Sequence, residues 1–78
     1  MDQLKADWED VLIRVKRQVR EGEEHVAQAQ ARIWAYERAG HTKAAAMAKL
    51  SLMTMKDMLR VMRDALRSLR VARDIKDR

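Results

Sequence analysis

A chain of 78 residues with no cysteine, no proline and only two glycines is at most one small domain. The missing thiols exclude a disulfide framework and a thiolate metal site. Its 17 Lys/Arg against 12 Asp/Glu give a net charge of +5 that is unevenly shared: residues 1–40 carry seven cations and eight carboxylates, residues 41–78 ten and four. An excess of that kind favours acidic surfaces as partners.

The opening Met1-Asp2-Gln3-Leu4-Lys5-Ala6-Asp7 lacks the basic and apolar regions of a secretory leader, and no run is long and apolar enough for a bilayer, so a cytoplasmic chain without a transmembrane segment is expected. Asp2 suits a helix N-cap. From there Leu12, Val19, Val26 and Ile33 form one seven-residue track (position a of a heptad), and Trp8, Val15, Gly22, Ala29 and Tyr36 form another (position d). The spacing predicts helix one over about 3–39. Gly22 costs about 1 kcal/mol in a helix interior, but both tracks keep phase across it, which a loop would reset. Glycine at d also allows two helices to approach closely.

The turn is predicted at 40–42, with Gly40 as the left-handed residue past the helix end and Thr42 as the next N-cap. Helix two is predicted over about 43–76. Its a positions hold Ala45, Leu52, Leu59 and Leu66, and its d positions Ala48, Met55, Met62 and Leu69. Position g (Ala44, Ser51, Met58, Ala65, Ala72) and position c (Met47, Thr54, Val61, Ser68, Ile75) are small or apolar as well, so the apolar arc spans roughly 160–200°. The cations gather at e (Lys49, Lys56, Arg63, Arg70) and b (Arg60, Arg67).

A turn this short forces the helices antiparallel. The expected fold class is therefore all-α, a two-helix antiparallel hairpin of coiled-coil type forming a single domain over 1–78. In that arrangement e faces e, and Glu9, Glu23 and Glu37 of helix one meet the basic e positions of helix two. On the other flank Leu4, Val11, Gln18 and His25 meet the g positions, leaving it open. One partner helix cannot cover so wide an arc, and the expectation is a homodimer that closes a four-helix bundle through Leu4, Val11, Met55, Met58, Met62, Ala65 and Ala72. Ile13 and Trp34 at b, with the methionines Met47 and Met53, are candidates for contact with another protein.

Little here resembles chemistry. His25 and His41 follow Glu21 and Glu37 by four residues, whereas the di-iron bundles use Glu-x-x-His, and Ser51 and Ser68 share their faces with no base. No catalytic residue, metal, cofactor or small-molecule substrate is expected. The leading expectation is a non-catalytic module that regulates, inhibits or chaperones a partner protein through a helix face of a self-associating hairpin. The alternative is a basic dimer that contacts nucleic-acid phosphates through Lys56, Arg60, Arg63, Arg67, Arg70 and Arg73, a stripe continued by Lys76 and Arg78. Asp57, Asp64, Asp74 and Asp77 lie near enough along the helix to neutralise part of it. No motif marks a family.

Overall fold

The computed structural model describes the backbone of residues 2–76 and the side chains of residues 7–75. Two α-helices make up the fold, α1 (Asp2–Arg38) and α2 (Thr42–Lys76), packed against each other as a hairpin with Cα extents of 59 × 15 × 13 Å. No helix among the described residues is long and apolar enough to cross a membrane. The expected contributions of the Asp2 cap, Leu4, Lys76, Asp77 and Arg78 fall outside the described side chains.

The turn is built by the last carbonyls of α1. Gly40 N–H donates to Glu37 O at 3.1 Å and His41 N–H to Tyr36 O at 2.9 Å, the paired bonds of a Schellman cap, with Gly40 at φ +79°. The cap is completed by packing, since the His41 ring meets Tyr36 edge-on with centroids 6.5 Å apart. Here the structure corrects the sequence-based expectation by one residue. The carbonyl of His41 already accepts the Ala45 N–H at 2.9 Å, so His41 is the N-cap of α2 and Thr42 its first helical residue. The Schellman bonds fix His41 in place, and the helix starts from it.

The a positions form the core. Among the described residues, Leu12, Val19 and Ile33 of α1 and Ala45, Leu52, Leu59 and Leu66 of α2 are the buried hydrophobics, and no polar side chain is buried with them. Removing each of the larger ones from water contributes roughly 1.5–3 kcal/mol. The d residues Trp8, Val15, Met62 and Leu69 pack onto this line but remain half-buried. Trp8 covers one end of the core with its indole N–H buried and no acceptor among the described residues.

Gly22 lies inside an unbroken α1, and the reason for a glycine is visible in the packing. A Cβ there would stand 3.1 Å from both Leu59 Cδ1 and Met62 Cε. At Gly40 a Cβ would meet nothing within 4 Å, so any penalty at that position comes from φ alone. Gly40→Ala is expected to lower stability by about 1–2 kcal/mol. Gly22→Ala should change it by less than about 1 kcal/mol, because the gain in helix propensity opposes the displacement of two side-chain ends. Urea titration of the helical circular dichroism signal measures both, and a larger loss at Gly22 than at Gly40 would contradict this account.

Candidate functional site

The core line divides the rod into two flanks of opposite chemistry. On one side lie the e positions, where Glu37 Oε1 stands 3.7 Å from Lys49 Nζ and Glu23 Oε1 stands 3.5 Å from an Arg63 guanidinium nitrogen. Both pairs are about half exposed, and exposed ion pairs of this kind contribute only about 0–1 kcal/mol each. Their main use is as markers of register. Stepping seven residues from one pair to the next sets Gln30 opposite Lys56 and Lys16 opposite Arg70. Lys56 and Arg70 therefore do not meet the glutamates expected of them, and the last described rung of the ladder opposes two cations. Glu9 would face residue 77, which lies outside the described residues.

Among the described residues the basic stripe of α2 is exposed except at Arg73, which is half-buried at an a position. Arg63 is tied to Glu23, and Arg60 to Asp57 three residues earlier at 3.6 Å. Neither Asp64 nor Asp74 makes an ion pair among the described residues, so Lys56, Arg67 and Arg70 keep unneutralised charges.

On the other flank, α2 presents its g and c positions. Ala44, Met47, Ser51, Thr54, Met58, Val61, Ala65, Ser68, Ala72 and Ile75 form this stripe, and all but the half-buried Ala44 are exposed. None carries a charge, in a chain of which 37% is Asp, Glu, Lys or Arg. Met58 is 61% and Met47 65% exposed, while Met55 and Met62 at the adjoining d positions are only partly covered. Beyond the turn helix one leaves this stripe uncovered. Its own contribution to the flank is Val11, Gln18, His25 and Arg32, all exposed. Near the turn the flank sinks into a shallow groove of about 350 Å³ between Arg32 and Tyr36 of α1 and Ala44, Met47, Ser51 and Met55 of α2. Arg32 was not singled out in the sequence, although its seven-residue spacing from His25 places it on this flank.

The four candidates for contact with another protein are not gathered in one place. Met47 belongs to the uncharged stripe. Ile13, Trp34 and Met53 lie on the charged side at b positions, where Trp34 and Met53 sit level near the turn and Ile13 lies roughly 30 Å farther along the rod. Among the described residues no three His, Cys, Asp or Glu side chains are grouped to hold a metal ion. Comparison with protein-family models, with curated proteins and with solved structures finds no match to this chain.

The like-charged rung predicts a reversal of the usual effect of adding an acid to a basic region. Lys16→Glu converts the Lys16–Arg70 opposition into an attraction and should raise the melting temperature, by an increment of about 0.2–1 kcal/mol that shrinks at high salt. Glu23→Lys, which breaks the neighbouring attraction, should lower it by a similar amount. Thermal melts of the two variants at low and high salt measure the difference.

Proposed function

We propose that this protein is a non-catalytic interaction module that works as a homodimer, two hairpins joined through the uncharged flank into a four-helix bundle that regulates, inhibits or chaperones a partner protein. The observation that supports this most is the unbroken run of ten uncharged g and c positions along α2, nine of them exposed. An exposed apolar stripe of that length costs solubility unless something covers it. Positions g and c alternate at spacings of three and four, as a and d do, so α2 carries a second helical seam about 110° around from the first. That is close to the angle between neighbours in a four-helix bundle.

The stripe is self-complementary, which favours a second copy as its cover. If α2 pairs antiparallel with its own copy about the midpoint between Leu59 and Arg60, Met47 meets Ala72, Ala44 meets Ile75, Thr54 meets Ala65 and Met58 meets Val61. Large side chains oppose small ones near both ends, and a g position meets a c position throughout, as a meets d in antiparallel coils. Val11, Met55 and Met62 flank the seam and would be covered with it. Of the residues expected to contact another protein, Met47 falls within this seam; Trp34 and Met53 remain on the outer side, where a partner protein could dock beside the turn.

The test is oligomeric mass by light scattering. The wild type is expected at twice the mass of the chain at micromolar concentration. Met58→Asp and Ala65→Glu place a charge in the seam and should each weaken association by tenfold or more, with helical content retained because neither residue supports the hairpin core. Arg67→Glu should leave the dimer intact. A monomeric wild type, or variants that associate as well as the wild type, would overturn the proposal.

A further inference from the structure

The antiparallel register brings together two basic segments that lie far apart in the chain. Residues 14–20 hold Arg14, Lys16, Arg17 and Arg20 and no carboxylate, and residues 63–73 hold Arg63, Arg67, Arg70 and Arg73 with Asp64 alone. Because Glu23 pairs with Arg63, and the next rung sets Lys16 against Arg70, both segments occupy the same level of the rod. By this register residues 63–73 stand level with 13–23, so Glu21 and Glu23 belong to the belt as well; its eight cations against three carboxylates leave nine Lys/Arg and nine Asp/Glu in the rest of the chain. The excess positive charge of the whole protein is therefore concentrated at one level. Lys16, Arg20, Arg67 and Arg70 are exposed on the charged side of the hairpin, without a carboxylate partner among the described residues.

We propose that this belt binds the phosphate backbone of a double-stranded nucleic acid, with Lys16 and Arg20 of α1 and Arg67 and Arg70 of α2 as the contacts. Like charges held opposite each other by the fold repel, and an external polyanion relieves that repulsion while releasing its own counterions. Residues 63–73 span roughly 15 Å, about four phosphate steps along one strand. A docking protein would be held chiefly by an apolar or aromatic centre. Val71 and Ile13 are exposed only at the distal end of the belt, and from Arg63 to Arg70 and from Lys16 to Glu23 no large apolar side chain is exposed, the composition of a nucleic-acid interface. No aromatic residue lies among these cations, so binding is to the backbone and independent of base sequence. The surface lies across the core from the uncharged flank and is available whether or not the hairpin self-associates.

Fluorescence anisotropy with a random-sequence DNA duplex, and with an RNA duplex of the same length, tests this over a salt series. The wild type should bind at low salt with a steep negative slope of log affinity against log salt. Arg67→Glu combined with Arg70→Glu should weaken binding at least tenfold more than Arg38→Glu combined with Lys43→Glu, which changes the net charge equally but at the turn. The belt variant should also lose about two from the slope, one for each phosphate contact removed, with helical content unchanged. Binding of either duplex with this pattern supports the assignment, and the ratio of the two affinities tells DNA from RNA. Absence of binding at low salt, equal losses in the belt and turn variants, or stronger displacement by a polyglutamate peptide than by unlabelled duplex would overturn it.

Discussion

Two long helices joined by three residues touch along one line, and that line buries one column of side chains from each. In this chain the column is position a. Leu12, Val19 and Ile33 meet Ala45, Leu52, Leu59 and Leu66, and among the described residues no polar side chain is buried with them. Every other feature of the molecule is set by its angular distance from that column. The d residues, about 60° away on one side, are half-covered; the e residues, about 40° away on the other, are near enough across the gap to form ion pairs but remain wet. A third layer does not exist, so beyond the groove beside the turn the g and c positions of α2 are left uncovered whatever their chemistry.

The two flanks consequently have different physical characters. On the charged flank the side chains are long and solvated, and the sign of each rung depends on which residue of α1 the register delivers to each residue of α2. Near the turn the rungs attract, as Glu37 does Lys49, whereas toward the chain ends Lys16 stands against Arg70. On the uncharged flank the groups are short or apolar, and Met58 and Met47 offer flexible, polarisable surface with no charge to solvate it. A molecule so divided can carry two kinds of contact at once, one driven by burial and one by counterion release.

Much of this hairpin was legible in the heptads because a periodic apolar track is a direct record of burial. The continuity of α1 through Gly22 could be read from the tracks that keep phase across it, and its close approach to Leu59 and Met62 is the packing that a d-position glycine permits. The turn was legible in Gly40, since only glycine adopts its positive φ without strain. The start of α2 was misread by one residue because a threonine is a better capping side chain than a histidine, while the structure places the cap through the backbone bonds of the Schellman motif. The e flank was misread differently. Counting glutamates on one helix and cations on the other gives complementary totals, but the pairing depends on an exact residue register that only the folded hairpin fixes, and it hands Lys56 a glutamine and Arg70 a lysine. The belt was hidden for the same reason: α1 as a whole carries seven cations against eight carboxylates, and its cationic stretch gains meaning only from what lies across the gap.

The uneven ladder also makes the response of this fold to ionic strength directional. Dissolved ions shield the Glu37–Lys49 attraction beside the bend, loosening that end slightly, and at the same time shield the repulsion between Lys16 and Arg70, easing the distal end together. In dilute buffer the hairpin is expected to fray like a zipper fastened at the bend, its open arms parting first. Concentrated electrolyte evens out protection along the rod without altering a single apolar contact.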